Sequence, residues 1–182
     1  GELILLALAI PIGGALLLWV VGRTPFLRNE VSLVTSCGLL AAVAALTPSV
    51  LAGARPAISL FEFAPGLAFA FEVEPLGMLF ALLASFLWIV TTIYSISYLS
   101  ANGEPHRTRF HICFALALAS AVGIAFAGNM LTLFFFYEAL TLCTYPLVAH
   151  SGTEEARRGA RRYLAILLST SIMHTSEARG MA

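Results

Sequence analysis

Five stretches of this chain, residues 3–21, 31–52, 77–99, 110–127 and 130–149, run for about twenty residues each with almost no charge. A bilayer's hydrocarbon core is about 30 Å thick, and a helix rising about 1.5 Å per residue crosses it in about 20 apolar residues. Backbone N–H and C=O groups inside lipid must pair within their own segment, so runs of this length are read as transmembrane helices. The first run begins at Gly1-Glu2, without the basic leader of a signal peptide, and is read as a span. The expected fold class is an all-α polytopic membrane protein, and residues 1–182 read as a single membrane domain. Composition agrees: 11% of residues are charged, where a soluble domain carries about a quarter. A mean hydropathy of +0.90 excludes intrinsic disorder, and glycines without a three-residue period exclude a collagen-like chain.

A sixth apolar run, Tyr163 to about Met173, covers about half the length of a span before the chain turns polar at His174-Thr175-Ser176-Glu177. The sequence therefore predicts five complete helices and a partial sixth, as in the N-terminal part of a longer protein. Between the second and third spans the texture changes. Two β-prone runs, residues 57–63 and 67–74, flank Ala64-Pro65-Gly66, which predicts a short external β-hairpin within residues 54–75. An open sheet edge cannot sit in lipid, so the hairpin belongs outside the bilayer.

The ten basic residues are all arginine and are balanced by ten acidic ones. Without a basic surface there is no basis for nucleic-acid binding. The arginines alternate by loop: Arg23 and Arg28 in the first, Arg107 and Arg109 in the third, Arg157, Arg158, Arg161 and Arg162 in the fifth. The second loop holds Arg55 and the fourth, Gly128-Asn129, holds none. Positive loops stay cytoplasmic, so the N-terminus and hairpin are predicted to lie outside. Cys37, Cys113 and Cys143 sit singly in separate apolar runs and read as small apolar residues. No metal-ligand set, phosphate-cradling loop or nucleophile–base constellation is present, so neither metal nor cofactor is expected.

Helices associate in lipid through small residues at four-residue spacing. The fourth span carries two such rows, Ala115, Ala119, Gly123, Ala127 and Ala117, Ala121, Ala125, which read as a packing face. The third span carries Ser85, Thr92 and Ser95 on one side; for each hydroxyl the plainer expectation is a bond to its own helix backbone. The fifth span carries Glu138 near its centre, with Thr141 and Tyr145 on the same side. Leu133, Phe136, Leu140 and Leu147 fall opposite, a face fit for lipid. An ionised carboxylate costs several kcal/mol in hydrocarbon, so Glu138 must be paired, hydrated within the bundle or protonated. That makes it a candidate proton carrier, against the alternative of a structural hydrogen bond to a neighbouring helix. His106, His111 and His150 lie near the predicted cytoplasmic ends, and His111 and His150 are candidate points of proton uptake.

The stretches Glu74-Pro75-Leu76-Gly77-Met78-Leu79-Phe80, Ile93 to Tyr98, and Gly128-Asn129-Met130 through Glu138 to Leu142 resemble the proton-translocating membrane subunits shared by Mrp-type cation/proton antiporters and respiratory complex I. The likeness is strongest to the D-type subunit of the monovalent cation/proton antiporter. It implies a whole protein of about fourteen helices built on inverted repeats, with a glutamate on the fifth span coupled to a lysine on the seventh. Glu138 matches the glutamate; the lysine has no counterpart, because the chain contains no lysine. The implied function is a subunit that moves protons and a monovalent cation, sodium or potassium, across the inner (plasma) membrane with other membrane subunits as partners. The alternatives are an antiporter-like proton-pumping subunit of complex I, or a structural or assembly subunit or inactive truncated fragment.

Overall fold

The computed structural model describes residues 1–22, 24–64, 67–101 and 107–148. The sixth apolar run, His106, His150 and Arg157 to Arg162 lie outside the described residues. Among the described residues five helices are long and apolar enough to cross a membrane. They are α1 (Glu2–Val21), α2 (Pro25–Leu51), α3 (Pro75–Ala101), α4 (Arg107–Ala125) and α5 (Met130–Val148), with strands β1 (Ala57–Ala64) and β2 (Leu67–Glu72) between α2 and α3. The expected architecture is thus observed, with shifted ends. α2 starts at Pro25 rather than residue 31, because a proline at the first helical position sacrifices no hydrogen bond. Apolarity marks only the part of a helix suited to lipid, and here the polar turn Arg28-Asn29-Glu30 is helical as well. α4 ends at Ala125, two residues short of the apolar run, because Ala127 instead forms a bridge to Phe71 of β2.

α1 packs on α2, α2 on α3, α3 on α4 and α4 back on α1, closing a ring of four helices; α5 is added outside it against α4, with β2 at its N-terminal end. The ring encloses one contiguous apolar core in which Ile4, Ala7, Leu39, Val43, Val73, Ala81 and Val122 are fully buried. The small-residue face of α4 is used as expected: Ala115, Ala117, Ala119 and Gly123 are buried. A Cβ at Gly123 would overlap the ring of Phe136, and one at Gly77 would overlap the carbonyl oxygen of Ala125. Glycine at these positions lets α5 and α3 approach α4 closely. On the outside, Leu16, Trp19, Leu83, Phe86 and Leu142 are exposed, the surface a bundle presents to lipid.

The ring also sorts the loops by end. Gly1 lies against Ile58 of the hairpin, and Gly77 lies against Ala125, so the N-terminus, hairpin and α4–α5 turn share one end. At the other end the Thr108 hydroxyl donates to the Gly22 carbonyl at 2.6 Å, tying the start of α4 to the end of α1. Arg28 and Arg109 belong to that second end, and Arg55 to the first. For the described arginines Arg28, Arg55 and Arg109, the alternation read from the sequence is therefore a physical polarity of the bundle.

The hairpin is antiparallel, pairing Ala57 with Glu72, Ile58 with Phe71 and Ser59 with Ala70, with irregularities between Ser59 and Phe61 and between Glu62 and Ala64. Gly53, at φ +82°, turns the chain out of α2 in a conformation that favours glycine. Arg55 Nη1 lies 3.0 Å from Glu74 Oε1 and 3.6 Å from Glu72 Oε1. All three side chains are substantially solvated, so Arg55→Ala is expected to cost less than about 1 kcal/mol. Thermal unfolding of the variant and the parent should converge further as salt is raised.

Candidate functional site

α5 holds its glutamate at mid-depth because of how its first turn is fixed. Asn129 precedes the helix, and its side-chain oxygen accepts a hydrogen bond from the Thr132 N–H at 2.8 Å, an N-cap. The other half of the same amide donates to the Ala68 carbonyl of β2. The Ala70 N–H donates to the Thr132 hydroxyl at 3.1 Å, the Gly128 N–H donates to the Ala70 carbonyl at 2.8 Å, and the Glu72 N–H donates to the Phe126 carbonyl at 2.9 Å. A Cβ on Gly128 would come within 3.2 Å of the Ala70 carbonyl oxygen and the Glu72 nitrogen. The edge of β2 thereby clamps the α4–α5 turn. Below it, Phe69 meets Phe135 at 5.1 Å and Phe71 meets Phe136 at 5.7 Å, both edge to face. Asn129→Ala removes both the cap and the tie to β2, and is expected to cost about 1–2 kcal/mol of stability. Chemical denaturation of the variant measures that loss.

From this anchor Glu138 follows eight residues after Met130, about 12 Å along the axis. It is half-buried, as is Tyr145, whereas Thr141 is buried. The Thr141 hydroxyl donates to the Tyr137 carbonyl at 3.1 Å and the Thr144 hydroxyl to the Thr141 carbonyl at 3.0 Å, so both are engaged by their own helix. Pro146 lies inside α5 and has no N–H to give the Leu142 carbonyl. The three predicted residues Glu138, Thr141 and Tyr145 therefore do share a helix side.

The opposite side departs from expectation at one residue, while Leu133 there is 39% exposed. Phe136 does not face lipid; it lies about 160° around the helix from Glu138 and seats on Gly123 of α4. α4 thus covers the back of α5, and Phe135 and Leu142, on the Glu138 side, are 53% and 60% exposed. Among the described residues α5 is the least covered span, with 11% of its window buried against 39% for α4. Periodicity identifies two faces of a helix, but which one packs depends on where the partner presents a glycine.

His111 is buried, 5% exposed, on the second turn of α4, edge to face with Phe110. The structure does not set it level with Glu138. His111 is about 6 Å from the arginine-bearing end of its helix and Glu138 about 15 Å from the corresponding end of α5. His150 lies outside the described residues. Among those residues no group of three or more histidines, cysteines or acidic residues could hold a metal. Cys37 is exposed and Cys113 and Cys143 are free thiols on α4 and α5. An open groove at the hairpin end is lined by Glu72, Glu74, Gly77 and Phe80, and lies away from the depth of Glu138. The sequence reading missed the burial of Arg28 and the role of Asn129 as cap and clamp. An asparagine directly before an apolar run was the available signal for the latter.

No protein-family model matches the chain. It is 25% identical over 142 residues to NADH-quinone oxidoreductase subunit N of Desulforudis audaxviator, covering 78% of this chain and 28% of that protein. It is 28% identical over 102 residues to the A-type subunit of the Na(+)/H(+) antiporter of Alkalihalophilus pseudofirmus, covering 56% of this chain and 12% of that protein. The chain is a relative of the antiporter-like membrane subunits. The fold agrees: the Mrp complex of Dietzia sp. superposes with a TM-score of 0.77 at 24% identity, over 93% of this chain and 32% of the matched one. An archaeal membrane-bound sulfane sulfur reductase superposes with a TM-score of 0.79 at 19% identity, over 91% and 34%. The chain spans about a third or less of the length of each of these proteins.

Proposed function

We propose that this protein is a proton-translocating membrane subunit of a multisubunit monovalent cation/proton antiporter, with Glu138 as the proton carrier. The observation that carries the reading is a half-buried carboxylate at mid-depth on a helix whose axial position is fixed by the hairpin clamp. A carboxyl group at that depth can hold a proton, and a charge brought near it changes how tightly the proton is held. Approach of a cationic group would then release the proton and its withdrawal would let one load, with no covalent chemistry. Thr141 and Tyr145 line the same side; because the Thr141 hydroxyl is held by its own helix, Tyr145 is the more available partner for water or a proton. The partners are other membrane subunits and the lipid bilayer, and the transported ions are protons with sodium or potassium. On this reading the chain sits in the plasma membrane with the hairpin end outside, since Arg28 and Arg109 mark the cytoplasmic end. The D-type subunit is the branch proposed from the motif likeness.

A second reading, an antiporter-like subunit of complex I, is favoured by the relatives that align over most of the chain. Subunits N of NADH-quinone oxidoreductase from D. audaxviator and Myxococcus xanthus cover 78% and 86% of it. The test is transport by the purified native assembly in sealed vesicles, followed with a pH-sensitive dye. Acidification driven by a sodium or potassium gradient supports the antiporter, acidification driven by NADH and quinone supports the second reading, and neither response overturns both.

A further inference from the structure

The inside of the four-helix ring changes character along its length. Toward the hairpin the buried stripe of α2 is Leu39, Val43, Leu46 and Val50, and that of α3 is Met78 and Ala81. Toward the arginine-bearing end the same stripes continue as Arg28, Ser32 and Ser36 on α2 and as Thr92 and Ser95 on α3, and α4 contributes His111. α1 stays apolar throughout. Most of these hydroxyls are satisfied locally. Thr35, Ser36, Ser85, Ser95 and Ser120 each donate to a carbonyl three or four residues back, at 2.6–3.0 Å.

Ser32 and Thr92 do not. They are 3% and 2% exposed, and among the described residues their side-chain oxygens have no hydrogen-bond partner. Neither takes a carbonyl of the preceding turn, as their neighbours do. Ser32 lies seven residues into α2 and Thr92 nine residues before the end of α3, depths of about 10 Å and 14 Å from the same end. A buried hydroxyl without a partner is destabilising in an apolar interior and is commonly satisfied by an ordered water that has two or more polar partners. Arg28, Ser36 and His111 supply further polar groups in that half of the ring.

We propose that the arginine-bearing half of the α1–α4 ring is a water-binding pocket, reaching from Arg28 and His111 inward to the hydroxyls of Ser32 and Thr92. Trp88, 3% exposed one turn deeper on α3, and Leu39 on α2 form its apolar floor. The pocket is separate from Glu138, which lies on α5 outside the ring, and it does not depend on the transport reading.

The test is thiol accessibility in the native assembly, in vesicles, with Cys37, Cys113 and Cys143 replaced by alanine. A small cationic methanethiosulfonate added from the Arg109 side should modify Ser32→Cys and Thr92→Cys at least about tenfold faster than Leu39→Cys and Ala81→Cys. Equal rates at all four positions, or no reaction at Ser32→Cys and Thr92→Cys, would overturn the pocket. Melting of Ser32→Ala and Thr92→Val gives an independent reading. If water holds the hydroxyls, both variants melt below the parent; if the hydroxyls are dry orphans, removing them raises the melting temperature and the proposal fails.

Discussion

Glu138→Gln is expected to lower proton-coupled transport about a hundredfold while the subunit still assembles at the parent level. Glutamine keeps the size, the mid-depth position and the capacity for a hydrogen bond, but it cannot load and release a proton at ordinary pH. Packing gives little reason for the variant to misfold, because the residues that join α5 to α4 lie on the other side, at Phe136 and Gly123. A glutamic acid retained only to hydrogen-bond a neighbouring helix would tolerate the change. Transport at the parent rate in Glu138→Gln would therefore sink the carrier role and leave a structural one. Glu138→Asp, which keeps the titrating group on a shorter stem, should retain measurable transport, and that separates proton carriage from side-chain length. The readout is dye-monitored transport beside a quantitative assay of assembly on the same vesicles.

Gly123→Leu should produce the largest structural effect. Even a Cβ at this position overlaps the ring of Phe136, and the rest of a leucine has no space to enter without parting α5 from α4. Overpacking of a tight contact costs about 3 kcal/mol, and here α4 supplies most of the cover that α5 has among the described residues. Loss of α5 docking should appear as protease sensitivity or faster thiol labelling at Cys143, a residue of α5 that is half-buried in the parent. Truncating the ring in the double variant Gly123→Leu, Phe136→Ala should recover part of the stability, since the two residues share one contact and their effects are not additive. A Gly123→Leu protein as stable as the parent would show that the approach of the two helices is not limited by this glycine.

Much of the architecture was legible because the constraints on a chain in lipid are few and strong. Length and apolarity alone identify five spans, since only helices and closed barrels satisfy their backbone polar groups in hydrocarbon and barrel strands are about half as long as these runs. The change from long apolar runs to short β-prone runs around Ala64-Pro65-Gly66 marked the hairpin. The small-residue face of α4 and the shared side of Glu138, Thr141 and Tyr145 followed from a period of 3.6. These are local properties, each readable within one segment.

What the tertiary structure decided were the relations between segments. Phe136 looked fit for lipid by its wheel position, yet it packs, because Gly123 on another helix leaves room for its ring. Arg28 reads as a loop charge, yet it is 8% exposed inside the ring, where α2 begins six residues earlier than its apolar run. Asn129 reads as part of a short turn, yet its two amide atoms join the start of α5 to β2, sixty-one positions away from Ala68 in sequence. The physical reason is common to all three. In a membrane the hydrophobic effect selects which segments become helices but not which helix faces meet, because lipid and protein interiors are equally apolar. That choice is left to close packing and hydrogen bonds between residues distant in sequence, and those exist only once the helices have come together.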